Sequence, residues 1–405
     1  GTIIDIINAS FGTNSDDIDT FPSAVNSTEE GALSYATSSN RNGKGIIVVK
    51  SAGNSWSVYL DTDSDNEADT FFSCTPSGSS QGYNTSDFPC VHTFFDSVHS
   101  TPYIIDVASI NADDVRSSYS TPGSSIWISG YGGEFGSTDP AIMTTDQSTC
   151  SKGYARTGVS GAFNSNSNSA NPGCNYHSKF NGTSSAAPTI SGVVALMLDA
   201  NPNLTWRDVK HILLTTATQI DASNTYTYLG INQYSWIENA AGYKHHTSYG
   251  FGKVNAAAAV TSALNYQQGN LGDFINSGKV ESGTLNNNFN SFTQTTYQGE
   301  GFGLNVTAPS GSAGKVEFVR VGIQLSHAEI EHIGLHLESP DGTTVPIFTP
   351  FSRKRTNPNG ARFEIGVSSL YGENMAGEWK LLITDYTNDS VGGTLVGWDI
   401  QVYGR

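Results

Sequence analysis

The sequence predicts an α/β domain followed by an antiparallel β-sandwich, and three observations predict it. Short apolar runs alternate with helical segments over the first hundred residues. Helical runs carrying capping signals follow between residues 190 and 264, and beyond about residue 315 the apolar period falls to two.

Taken in order, Ile3-Ile4-Asp5-Ile6-Ile7-Asn8 opens as a buried strand and runs into the turn-prone Ser10-Phe11-Gly12. Residues 28–38 read as a helix ended by Asn42-Gly43. Gly45-Ile46-Ile47-Val48-Val49-Lys50 is a second strand leading into Ser51-Ala52-Gly53-Asn54. Strand, helix and strand in that order make a βαβ unit of a parallel sheet, which Tyr103–Ser109 extends. Residues 61–100 and 130–180 are rich in Ser, Gly and Asn and read as long loops. Asn181-Gly182-Thr183-Ser184-Ser185-Ala186-Ala187-Pro188 is a small-residue turn that delivers one hydroxyl, Ser184, to the start of an apolar helical run over 190–198. Thr205 and Asp208 have capping-box spacing ahead of Val209, Ile212 and Leu213. A helix over 254–264 closes the first domain, residues 1–265. Residues 266–310 suit a linker and 311–405 a second domain. There Val319, Val321, Ile323 and Leu325 alternate, as do Ile333, Leu335 and Leu337, then Trp398, Ile400 and Val402. Turn signals at Pro340-Asp341-Gly342 and Gly392-Gly393 divide them.

The chain of 405 residues has room for two domains, and 37% apolar with 14% charged residues fits a globular protein rather than a disordered one. No apolar run approaches the roughly 18–20 residues that cross a bilayer, so no membrane partner is expected. Gly1 is not an initiator methionine, so upstream processing or truncation is expected. The four cysteines fall as local pairs, Cys74 with Cys90 and Cys150 with Cys174, which favours two disulfides and a secreted, oxidising setting over a zinc site. A net charge of −17 disfavours nucleic acid as a partner and would draw basic peptides.

Ser184 at a helix start sits where backbone N–H groups and the helix dipole favour developing negative charge, as a nucleophile requires if its attack creates an oxyanion; a Ser/Thr-rich helix cap is the plain alternative. Asn54, at the C-terminal end of a parallel strand, is the matching side-chain donor. Asp61, Asp63, Asp65 and Glu67 place carboxylates at alternate positions, a pattern suited to a hard cation such as a structural Ca²⁺.

Gly-Thr-Ser-(small)-Ala-(small)-Pro at 182–188 resembles the nucleophile motif of the subtilisin-like serine proteases. Val49-Lys50-Ser51-Ala52-Gly53-Asn54 resembles the strand that ends in their oxyanion-hole asparagine. The resemblance implies a subtilisin-like α/β fold, with Ser184 as nucleophile and Asn54 as oxyanion donor. Ser10, Phe11 and Gly12 then form one wall of the substrate cleft, with Ala52 and Gly53 opposite. The resemblance extends to the kexin- and furin-like branch. Leu204-Thr205-Trp206-Arg207-Asp208 and Ser248-Tyr249-Gly250-Phe251-Gly252 follow the nucleophile as they do there. The second domain resembles a P domain through Leu335–Thr343, Gly377-Glu378-Trp379 and Gly393-Thr394-Leu395. That branch implies a basic residue, including dibasic pairs, on the acyl side of the cut. Asp16 and Asp17 would pair with it, and some aspartates of 61–69 could instead deepen the pocket.

The departures are specific. No Asp-Ser/Thr-Gly strand and no His-Gly-Thr helix start precedes Asn54, and the first histidine is His92. Neither Asp5 nor Asp16 has the context of the orienting carboxylate, and His177, near Ser184 in sequence, reads as a loop histidine. Thr121, after Tyr119-Ser120, stands where kexins carry a Ca²⁺-binding glutamate. The expectation is therefore the C-terminal part of a secreted serine endopeptidase, inactive alone, that takes its histidine and aspartate from an upstream segment. Protein or peptide substrates, that segment, and a propeptide or chaperone are the implied partners. A broad-specificity protease and a non-catalytic, peptide-capturing pseudoprotease are the alternatives.

Overall fold

A computed structural model describes residues 4–12, 22, 24–60, 70–73, 91–228, 231–289, 301–309, 314–350, 360–386 and 391–405. The first unit opens with β1 (Ile6–Ala9), α1 (Ser27–Ser39) and β2 (Ile47–Ser51). A two-stranded ribbon, β3 (Ser57–Leu60) and β4 (Thr70–Ser73), precedes β5 (Ile104–Ile110) and β6 (Ile128–Tyr131). Strands β1, β2, β5 and β6 lie side by side in that order, all parallel. Because successive side chains leave a strand on opposite faces, the apolar runs cover both. Ile47, Val49, Ile105 and Val107 face one way; Ile46, Val48 and Ile104 face the other, against Leu33 and Ala36 of α1.

Residues 130–180, expected as loops, contain a second ribbon of β7 (Ile142–Thr145) and β8 (Tyr176–Phe180). A disulfide joins Cys150 to Cys174 within it. Its strands escaped notice because their apolar residues are sparse and half exposed. Cys74 and Cys90 lie outside the described residues. Then come α2 (Thr183–Ala200), α3 (Trp206–Thr216), the short strands β9 (Tyr226–Tyr228), β10 (Ile231–Tyr234), β11 (Ile237–Glu238) and β12 (Lys244–His245), and α4 (Ala256–Asn265). Helix α2 buries Ala186, Ile190, Val194 and Met197 on the sheet, and the Thr205–Asp208 capping box that starts α3 is present.

The segment 266–310 is not simply a linker. It holds β13 (Ile275–Glu281), β14 (Asn287–Phe289) and β15 (Gly301–Val306). These join β16 (Val316–His327), β17 (Ile333–Glu338), β18 (Thr344–Phe348), β19 (Arg362–Val367), β20 (Gly377–Asp385) and β21 (Gly393–Gly404). One sheet runs β13-β21-β16-β19 with β14 beside β21; the other runs β15-β20-β17-β18. Strands β13 and β15 are edge strands with one wet face: Val306 is buried in the core, Ile275, Val280, Phe302 and Leu304 pack against it, and the rest of the sequence reads as polar.

The two units share a buried interface. Strand β16 alternates apolar Val319, Val321 and Ile323 with Arg320, Glu317 sits at a register irregularity between Val316 and Phe318, and both charged residues are buried. Arg207 of α3 makes a forked pair to Glu317, at 2.9 Å from Nε and 2.6 Å from Nη2, and Arg320 pairs with Glu30 of α1. Tyr371 enters the first core beside Trp127 and Phe251.

Two buried histidines lie on this interface. His92 Nε2 is 2.8 Å from Thr349 Oγ1, and His245 Nε2 is 3.2 Å from Ser368 Oγ and 2.9 Å from the Ile126 carbonyl. Burial pushes both from the ordinary 6.5 down to about 4, only partly offset by backbone hydrogen bonds. Between those values the unfolded chain binds protons that the folded chain refuses, so stability rises with pH across that window. The thermal unfolding midpoint, followed by circular dichroism, is expected to fall as pH drops from 6.5 towards about 4. His245→Gln should flatten part of that slope.

Candidate active site

Three elements meet here: the C-terminal end of β1, the C-terminal end of β2 and the N-terminus of α2. Gly182 caps α2 with φ 96° and ψ 161°, a left-handed φ that favours glycine. Its N–H is held by the Tyr119 hydroxyl at 2.8 Å, and that hydroxyl also reaches the Gly133 carbonyl at 2.7 Å. Burial pushes the Tyr119 phenol above its ordinary pKa, so it stays a neutral donor and acceptor.

Asn54 follows β2. Its Oδ1 accepts from Thr183 N at 2.7 Å and from Thr183 Oγ1 at 3.0 Å. A backbone N–H can only donate, so the oxygen of the amide is fixed towards Thr183 and Nδ2 is left to face the other way. A methyl built on Gly182 would lie 3.3 Å from Nδ2 of Asn54 and 3.5 Å from the amide N of Ser184. Both donors therefore lie beside Gly182, as does the Asn54 Oδ1 at 3.5 Å from the same methyl position. The Ser184 N–H is an orphan of the first helical turn and has no partner among the described residues. Thr183 Oγ1 also accepts from Gly53 N at 3.1 Å, which ties β2 to α2 a second time. Thr121 clamps the same loop, its N donating to Gly53 O at 3.0 Å and its Oγ1 accepting from Ser55 N at 2.9 Å. The hydroxyl at this position thus has a structural use.

Pro188 explains how β1 reaches the site. It lies inside α2 and has no N–H, so the carbonyl of Ser184, four residues earlier, loses its helical donor. The Ser10 hydroxyl donates to that carbonyl at 3.1 Å. Asn8 extends the chain of contacts, its Nδ2 donating to Ser10 Oγ at 2.9 Å and its Oδ1 accepting from Ser191 Oγ at 3.0 Å.

The structure thus brings together Ser10, Ala52, Gly53, Asn54 and Ser184. Phe11 is 75% exposed and meets the site only through its carbonyl, which accepts from Lys50 Nζ at 2.7 Å. Gly12 lies beside Asp96 and Lys50. Asp16 and Asp17, and Asp61, Asp63, Asp65 and Glu67, lie outside the described residues. No group of three or more potential metal ligands occurs among the described ones. His177 is on β8 against Tyr154, and no histidine is hydrogen-bonded to Ser184 among the described residues. Asn8, Thr183 and Tyr119 support the site and escaped the sequence reading; a lone asparagine in an apolar strand was the one available signal.

A model of the subtilase family matches residues 2–281, more than half of the chain. The chain belongs to the subtilase family. Residues 316–402 match the proprotein convertase P-domain. The Aeromonas sobria extracellular serine protease is 30% identical over 335 residues, covering 75% of this chain and 52% of that protein. The Rattus norvegicus proprotein convertase subtilisin/kexin type 5 is 30% identical over 231 residues, covering 55% of this chain and 12% of that one. The solved Aeromonas sobria serine protease in complex with its chaperone superimposes with a TM-score of 0.79 at 25% identity, over 99% of this chain and 71% of that one. This subtilase chain spans about half the length of its Aeromonas relatives. The fold is the subtilase α/β fold with a β-rich P-domain region behind it.

Tyr119→Phe would leave the buried Gly182 N–H without an acceptor, a loss of about 1–3 kcal/mol. A lower denaturation midpoint and faster amide exchange at Gly182 are expected, whereas Thr183→Ser, which keeps its Oγ, should leave both near the parent values.

Proposed function

We propose that this chain is the C-terminal part of a secreted serine endopeptidase that cuts peptide bonds through an acyl-enzyme on Ser184. The observation that carries the reading is the Asn54 amide, its oxygen locked onto Thr183 and its Nδ2 beside the free N–H of Ser184. In this reading Ser184 Oγ attacks the scissile carbonyl and its proton passes to a histidine. Asn54 Nδ2 and the Ser184 N–H take up the oxyanion, helped by the α2 dipole. Collapse breaks the C–N bond as the histidine returns that proton to the leaving amine, and the ester left on Ser184 is then hydrolysed by water, which frees the serine.

The histidine and its aspartate come from an upstream segment of the same protease, and this chain alone is inactive. The sheet supports this. Among the described residues β1 pairs only with β2, and Ile7 on it and Ile4 just before it are exposed, as is Leu196 of α2, whereas parallel sheets are normally covered. Extracellular relatives and the disulfide support secretion, and no helix among the described residues is long and apolar enough to cross a membrane. The chaperone bound to the Aeromonas sobria protease supports a chaperone or propeptide partner here. The convertase relatives support a preference for basic residues, dibasic pairs included, on the acyl side. The acidic spacing of 61–67 supports a structural Ca²⁺.

A fluorophosphonate probe on the full-length protease is expected to label Ser184, and Ser184→Ala to abolish the label. No labelling of the parent, with peptide still bound, would favour the pseudoprotease. Asn54→Ala should lower kcat by about 10²–10³ with little change in KM, the magnitude known for this donor in a subtilisin.

A further inference from the structure

The cleft between the ends of β1 and β2 has a charged floor that the chemistry above does not use. Lys50 of β2 points away from α2, on the face that carries Val48. Its Nζ lies 2.9 Å from Asp96 Oδ2 and donates to the Phe11 carbonyl at 2.7 Å. Both side chains are largely out of solvent, 6% and 15% exposed. Gly12 lies directly over the pair. A Cβ there would stand 2.6 Å from Asp96 Oδ2 and 3.0 Å from Lys50 Nζ, so a larger residue would have to push these two side-chain ends aside. Behind the pair, His99 lies 3.8 Å from Asp96 and 2.9 Å from Asp106, whose Oδ2 also accepts from Ser125 Oγ at 2.7 Å. Burial opposes ionisation of Asp96, yet the charges of His99 and Lys50 and the hydrogen bonds from Lys50 and Val98 N outweigh it and hold the carboxyl below its ordinary range.

This is the cleft beside the nucleophile. Ser10 of one wall contacts the Ser184 carbonyl, and Gly53 of the other contacts Thr183. In the protease reading the substrate side chain on the acyl side enters between these walls, with Gly12 and the pair beneath it at its far end.

We propose that Lys50 is a specificity-determining residue: a tethered cation that occupies Asp96, makes the cleft floor neutral and lowers the preference for a basic side chain below what an open aspartate would give. The inference rests on the protease reading and moderates the basic preference proposed with it. A guest ammonium or guanidinium meets Asp96 already paired and Lys50 repelling it at similar range. The two Coulomb terms largely cancel, and the guest's desolvation is left uncompensated.

The test uses the full-length protease and matched peptides with Arg, Met or Glu before the cut. Lys50→Met is expected to raise the Arg-to-Met ratio of kcat/KM by about tenfold or more, and Asp96→Asn, which uncovers the Lys50 charge, to raise the Glu-to-Met ratio by a similar factor. Lys50→Arg should keep the parent ratios. Unchanged ratios in a folded, active Lys50→Met or Asp96→Asn variant overturn the proposal. Benzamidine gives a readout that needs no variant: inhibition of the parent only at millimolar or higher concentration is expected, and micromolar inhibition overturns the proposal. A parent protein that neither hydrolyses any peptide nor takes up a fluorophosphonate overturns the protease reading instead.

Discussion

The two hydrogen bonds from Thr183 to Asn54 Oδ1 fix what the rest of this site depends on. They join the end of a parallel strand to the start of a helix and decide which end of the Asn54 amide faces the Ser184 backbone. Without them the amide could turn, and the space beside Gly182 would lose one of its two donors. The joint is itself braced from below by Tyr119 under Gly182 and from the side by Thr121 on Gly53 and Ser55. The Tyr119 hydroxyl takes one hydrogen bond and gives another, whereas Thr121 gives with its backbone N–H and takes with its hydroxyl, so each ties two loop segments.

Pro188 supplies a second joint by omission. A proline this far into a helix removes one ladder bond, a cost that helices usually avoid. Here the freed carbonyl is that of Ser184, and Ser10 takes it. The end of β1 is thereby pinned to the residue it must flank, and the helix defect becomes the link between a cleft wall and the nucleophile candidate.

The second unit is more than an appended module. Its charged β16 face is buried against α1 and α3 through Glu317 and Arg320, and Tyr371 completes the first core. Buried ion pairs of this kind are poor sources of net stability but strongly penalise the loss of one partner, so they hold a defined docking register. The neutral histidines on the same interface add a reason for that register to weaken in acid.

The sequence by itself determined the period of each element. The short apolar runs 45–50 and 103–109 read as strands through their length, β-branched residues and flanking turns, the capping box at Thr205 and Asp208 marks a helix start, and the alternation of Val319, Val321 and Ile323 marks a strand with one buried face. It also carried the family, through the segments around Asn54 and Ser184. Edge strands β13 and β15 were hidden, since a strand with one wet face and few apolar residues looks like a linker until its partner is known. The meeting of Asn8, Ser10, Tyr119, Thr121 and Thr183 around Ser184, and of Lys50 with Asp96 beneath Gly12, belongs to the tertiary structure alone. These contacts join residues far apart in the chain, and no local periodicity records which distant hydroxyl or ammonium will fill a freed carbonyl or a buried carboxylate.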